Sequence, residues 1–176
     1  MKTVNNWYVL TGAPSSGKTT IIKLLEKRGY SVLFEVARIF IDKELKKGKT
    51  IQEIRKNEKD FQKKILSLKI YFENKLIPKE ITFLDRAIPD SIAYNELLDI
   101  PNNKYLENIF KKITYKKIFI FERLDFEHDY ARTESKEEVK KLEKLIEKTY
   151  NRLPFPVIKV PSMSIEKRLK FILDNL

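Results

Sequence analysis

A five-stranded parallel β-sheet with helices on both faces, an α/β three-layer sandwich, is the fold this sequence predicts. Three observations point to it. Apolar runs of strand length recur along the chain, near residues 4–10, 31–36, 80–85, 116–122 and 156–160. They are continuous rather than alternating, as in strands buried on both faces. Between them lie segments with apolar residues at helical three-and-four spacing, and strands alternating with helices make a parallel sheet. No internal repeat, low-complexity tract or linker interrupts the 176 residues, which read as one domain over 1–176.

Each element has its local reason. The first strand, 4–10, ends at Thr11-Gly12, and the helix from Gly17 turns Ile21, Ile22, Leu24 and Leu25 inward before Gly29 stops it. A second buried strand spans 31–36, and a helix spans 37–47 with Gly48 behind it. Thr50-x-x-Glu53 is a capping box that opens a long helix over 50–77, ended by Pro78. Its inward stripe is Ile51, Ile54, Phe61, Ile65, Leu68, Phe72 and Leu76. The third strand, 80–85, precedes a helix with Pro89 near its start, and the fourth covers 116–122. Ser135-x-x-Glu138 caps a helix with Val139, Leu142, Ile146, Tyr150 and Leu153 inward. Strand 156–160 and helix 164–176 close the chain.

Composition narrows the function. The chain has no cysteine, which excludes disulfides, iron–sulfur clusters and a thiol nucleophile. No apolar run approaches the roughly 18 residues of a membrane span, so no membrane partner is expected and the cytoplasm is the expected compartment. The net charge of +11 raises a nucleic-acid reading. Lysines interleaved with glutamates throughout the chain look instead like solvated helix faces, and nucleic acid is the less favoured partner. Only eight of the 36 basic residues are arginine. Four of these, Arg38, Arg86, Arg123 and Arg132, fall just past predicted strands or in a predicted lid, where planar phosphate contacts would be made.

One motif carries most of the chemistry. Gly12-Ala13-Pro14-Ser15-Ser16-Gly17-Lys18-Thr19 fits G-x-x-x-x-G-K-[ST], with a strand before it and a helix after it. This is a phosphate-binding loop, and with it the predicted sandwich becomes that of the P-loop NTPases. The glycines let the backbone approach phosphates, and the following helix offers its positive end. Lys18 is expected at the β- and γ-phosphates of ATP and Thr19 on Mg2+, with Thr20 completing the cofactor-binding segment. Asp85, ending the apolar strand Ile81-Thr82-Phe83-Leu84-Asp85, is the second candidate magnesium ligand and a catalytic candidate. Nothing in the sequence matches a guanine-reading Asn-Lys-x-Asp.

Three further groups complete the expected site. Glu35, at the end of the second strand, is a candidate base for an acceptor hydroxyl. Arg38, one turn later, and Arg86, beside Asp85, are candidates to grip the acceptor or a phosphate. Residues 123–135 form a polar, arginine-bracketed segment that reads as a lid closing over the γ-phosphate. In it Arg132, and after it Arg123, are candidates to meet transition-state charge. His128, the single histidine, has no second ligand near it in sequence and reads as surface.

The chain resembles the AAA-domain-like P-loop ATPase and kinase family that includes the nicotinamide-riboside kinase domain of bacterial NAD-biosynthesis regulators. The resemblance rests on Gly-Ala-Pro-Ser-Ser-Gly-Lys-Thr-Thr, Glu35…Arg38, Leu84-Asp85-Arg86…Asp90…Ala93-Tyr94 and Asp129…Arg132, and runs nearly to the end, through Glu166 and Arg168. The broader P-loop nucleoside and nucleotide kinase group is similar in the placing of its strand-end carboxylates. The resemblance implies that Glu35 and Asp85-Arg86 face the acceptor. Together these readings predict an ATP- and Mg-dependent phosphotransferase acting on a hydroxyl of a small nucleoside- or nucleotide-like acceptor. The alternatives are an ATPase switch coupled to a partner and a kinase of nucleic-acid ends. The sequence leaves the oligomeric state open.

Overall fold

The computed structural model describes residues 5–123 and 135–176. Their strands are β1 (Trp7–Thr11), β2 (Ser31–Leu33), β3 (Thr82–Asp85), β4 (Lys117–Phe121) and β5 (Val157–Val160). The helices are α1 (Lys18–Lys27), α2 (Val36–Leu45), α3 (Ile51–Ile54), α4 (Glu58–Glu73), α5 (Ile88–Leu97), α6 (Lys104–Phe110), α7 (Lys136–Tyr150) and α8 (Ile165–Asp174). All pairings are parallel, in the order β2-β3-β1-β4-β5. This is the expected five-stranded sandwich.

The side-chain alternation of the strands builds its two faces. Trp7 and Val9 of β1, Leu84 of β3, and Ile118 and Ile120 of β4 pack with Ala93 and Leu97 of α5 and with Leu142, Ile146 and Tyr150 of α7. The intervening Tyr8, Leu10, Phe83, Phe119 and Phe121 pack on the other side, with Ile21, Ile22 and Leu25 of α1 and Leu169 and Ile172 of α8. A smaller core, Ile41, Phe61 and Ile65, joins α2 to α4 away from the main layers. Caps foreseen from the sequence are in place: the Thr50–Glu53 and Ser135–Glu138 boxes are both complete, and Gly29 turns the chain at φ 88 after α1.

Two expectations need correction, and one helix is additional. The long helix over 50–77 is two helices. Its apolar stripe has a polar gap from Arg55 to Asp60, within which α3 ends and Asn57 starts α4 by accepting from the Asp60 N–H at 3.2 Å. Second, β2 is shorter than 31–36 and only half-buried, because it is an edge strand paired with β3 alone. Glu35 accordingly stands at the N-cap position of α2, with no side-chain hydrogen bond to the helix, rather than lying in the strand. The additional helix is α6, capped by Asn103; its seven residues give too short an apolar pattern to read.

Candidate active site

The segment 12–19 leaves the end of β1, the central strand. Around β1 the chain passes from the β3 side of the sheet to the β4 side, where open parallel sheets form their binding crevice. Gly12, Ser15 and Gly17 all hold positive φ, at 136°, 58° and 79°. Gly12 is further constrained, since a Cβ there would lie 2.6 Å from the Phe121 carbonyl oxygen. Helix α1 starts at Lys18 with no side-chain hydrogen bond on its cap. Its first amide N–H groups can therefore serve an anion. Lys18, buried, curls back into the loop and donates to the Gly12 and Ala13 carbonyls, at 3.0 and 2.9 Å, and to Ser16 Oγ at 2.8 Å. Ala13, Pro14 and Ser16 are buried with it, whereas Thr20 is exposed on the first turn of α1.

The strand-end carboxylate meets this loop. Thr19 Oγ1 donates to Asp85 Oδ2 at 2.9 Å, while Asp85 Oδ1 is buried with no hydrogen-bond partner. Burial pushes the Asp85 carboxyl up to about 6, and the nearby Glu35 adds to the rise against Lys18, Arg86 and Thr19. An ionised, half-satisfied carboxylate is costly in such a place unless a cation joins it. Among the described residues no cluster of three or more His, Asp or Glu could hold a metal by itself. One hydroxyl and one carboxylate with an unused oxygen fit Mg2+, which keeps waters and phosphate oxygens for the rest of its shell.

On the β2–β3 side lies a cleft lined by Glu35, Arg38, Ile41, Arg55, Phe61, Gln62, Ile65, Lys69, Arg86 and Tyr94. The structure thus brings together Glu35, Arg38 and Arg86. Arg86 is buried in the left-handed conformation, at φ 65. Its Nε donates to Glu35 Oε1 at 3.0 Å and its Nη1 to Asp90 Oδ1 at 3.1 Å, and the guanidinium lies 5.5 Å over the Tyr94 ring. A non-glycine residue at positive φ costs energy that its surroundings must offset, and these two carboxylates supply that constraint.

Asp90 is the hub of a buried network. It accepts from Thr11 Oγ1 at 2.7 Å, from the Ala87 N–H at 2.9 Å and from the Tyr150 hydroxyl, besides Arg86. Burial works against its ionisation, yet Lys69, Arg86 and these bonds hold its carboxyl below the usual range. Lys69 Nζ donates to the Ala87 carbonyl at 3.0 Å and to Ser91 Oγ at 3.3 Å. Glu73 accepts from the Ile88 N–H and the Tyr115 hydroxyl at 2.9 and 2.8 Å, and burial pushes its carboxyl up to about 7. Sequence reasoning passed over Gln62, Lys69 and Glu73. Their signal was position: at spacings of seven and four they share the buried face of α4 with Phe61 and Ile65.

Arg123 lines a separate cleft with Gly12, Ala13 and Glu122, and its Nε lies 3.6 Å from Glu143 Oε1. The predicted lid over 123–135, with Arg132, His128 and Asp129, lies outside the described residues except at its two ends. No helix among the described residues is long and apolar enough to cross a membrane.

Solved structures share this architecture. Deoxyadenosine kinase from M. mycoides with bound dATP is similar at 16% identity and a TM-score of 0.70, over 96% of this chain and 97% of that one. Thymidylate kinase from Candida albicans is similar at 14% identity and 0.68, over 98% and 91%. Thymidylate kinase from Ehrlichia chaffeensis is similar at 15% and 0.66, over 96% and 97%. At these identities the likeness is one of fold. No curated protein matches the sequence. Residues 7–168, however, match a family model described as an AAA domain, and the chain belongs to that family.

Proposed function

We propose that the protein is a P-loop phosphotransferase that moves the γ-phosphate of ATP to a hydroxyl of a small nucleoside- or nucleotide-like acceptor. The observation that carries this reading is that Asp85 and Arg86 are consecutive yet turn to different groups. Asp85 meets Thr19 of the phosphate loop, while Arg86 pairs with Glu35 in the cleft beyond β2 and β3. A hydrolase needs room for water alone. Here a cleft opens beside Arg86, the residue after Asp85, walled by Ile41, Phe61, Ile65 and Tyr94 and edged by Arg38, Gln62 and Lys69. Apolar and aromatic walls with a few polar groups suit a small organic acceptor. The structural likeness to nucleoside and nucleotide kinases supports the same assignment.

In this mechanism the loop N–H groups and Lys18 cradle the triphosphate. Thr19 and Asp85 would hold Mg2+, which when bound neutralises phosphate charge. Glu35 accepts the proton of the acceptor hydroxyl as its oxygen bonds to the γ-phosphorus and the bond to the departing ADP oxygen breaks. Arg86, fixed by Asp90, holds Glu35 in place, and Arg38 stands beside it to meet the acceptor. Arg123 supplies positive charge from the β4 side, and Arg132 is the other arginine assigned to transition-state charge. The test is a phosphate-transfer screen of nucleosides, nucleotides and short oligonucleotides with labelled ATP. Labelled product from a nucleoside or nucleotide is expected. Labelled inorganic phosphate alone, at a rate no acceptor changes, would refute the reading.

A further inference from the structure

Among the described residues, the most buried basic group outside the two clefts is Arg168, 1% exposed, on α8. Its guanidinium lies 5.5 Å over the Phe121 ring. Its hydrogen bonds go to backbone carbonyls. Nε donates to Pro161 at 3.0 Å, Nη2 to Glu122 at 3.0 Å and Nη1 to Ser16 at 2.5 Å. Those carbonyls follow β5, β4 and β1, so one planar cation ties together the carboxyl ends of three strands. The Ser16 bond spans 152 residues of sequence and is the one that reaches the phosphate loop.

We propose that Arg168 is a positioning residue for nucleotide binding, fixing the Ser16–Gly17 peptide so that the Gly17 N–H faces the phosphates. The inference rests on the ATP-binding reading above and adds a residue to it. In a trans peptide the C=O and N–H point in opposite directions. A Ser16 carbonyl drawn toward Arg168 therefore turns the Gly17 N–H to the opposite side of the chain. On the inner side, Lys18 is held by the Gly12 and Ala13 carbonyls and Ser16 Oγ. Gly17, at φ 79, accepts the backbone turn this requires. A cation on the carbonyl also polarises the peptide group and strengthens its N–H as a donor. Only arginine has the fork to reach three carbonyls in different directions; a lysine ammonium keeps the charge but not that span.

The experiment measures Mg-ATP affinity by calorimetry without acceptor, for the intact chain and for Arg168→Gln, Arg168→Lys and Lys18→Ala, with circular dichroism on each. Losing one charged hydrogen bond that orders the site corresponds to about 10–100-fold in affinity. Both Arg168 variants are expected to retain helical content and to bind Mg-ATP at least about tenfold more weakly, with lysine no substitute for arginine. Folded variants that bind within about twofold of the parent would overturn the proposal. So would restoration by lysine, which would make charge alone sufficient, or failure of both variants to fold, which would give Arg168 to the fold as a whole. If the parent chain itself binds no ATP, the ATP-binding reading falls first and this inference with it. If the parent binds, Lys18→Ala weakens it and the Arg168 variants do not, only this inference falls.

Discussion

Thr19 and Asp85 stand 66 residues apart in sequence and 2.9 Å apart in space, with the hydroxyl of one donating to the carboxylate of the other. That contact joins the first turn of α1 to the end of β3 and leaves Asp85 Oδ1 buried without a partner. An amide in place of the carboxylate removes the charge that would attract a divalent cation. Asp85→Asn is therefore expected to raise the magnesium concentration needed for half-maximal turnover and to lower turnover by about 10²-fold or more. A magnesium titration checks it, and superimposable curves would reduce Asp85 to a turn residue.

Asp90 accepts from β1, from α7 and from the β3–α5 turn, all in the interior. Removing it takes one of two carboxylates, Glu35 being the other, from the buried Arg86 guanidinium. It also leaves the Thr11 and Tyr150 hydroxyls short of an acceptor. Breaking a buried ion pair from one side costs about 3–5 kcal/mol. Asp90→Ala is expected to lose stability on that scale in denaturant unfolding. A loss below about 1 kcal/mol would show that the network is not what holds the strained Arg86 turn.

Glu73 makes a prediction about pH. Its carboxyl is raised from its ordinary 4.5 to about 7 in the folded chain, chiefly by burial, with Lys69 opposing and Asp90 adding to the rise. The folded state therefore binds a proton that the unfolded state releases between those values, and stability from this group increases as pH falls through 7. A tenfold difference in proton affinity between the two states is worth about 1.4 kcal/mol, so the full effect is on the order of 3 kcal/mol. Glu73→Gln cannot titrate. The stability of the parent chain minus that of the variant should grow from pH 8 to pH 5, and a difference independent of pH would contradict the assignment.

Much of this was legible in the sequence where the cause is local. The phosphate loop is set by glycines, a lysine and a threonine at fixed spacing, and the caps at Thr50 and Ser135 by single turns. The continuous apolar strands revealed the sheet because both of its faces are covered. What stayed hidden depends on distant partners. Lys69 and Glu73 look like an outward helix face until α5 and the turn before it supply the Ile88 N–H and the Ala87 carbonyl that receive them. Arg86 reads in the sequence as a grip on the acceptor or a phosphate, and only Asp90 and Glu35, from two other segments, make its left-handed, buried conformation tenable. The three carbonyls around Arg168 have no sequence signature, since backbone groups carry none.

In the proposed mechanism Glu35 serves an acceptor and not the nucleotide. Glu35→Gln preserves size and leaves Arg86 bonded to Asp90, but it removes the proton acceptor. With the nucleoside or nucleotide identified by the transfer screen, the measurement is Mg-ATP affinity beside the single-turnover rate of acceptor phosphorylation. Affinity within about twofold of the parent is expected, with a transfer rate lower by roughly 10²–10⁴. Unchanged transfer, or a matching loss of ATP affinity, would contradict this role for Glu35.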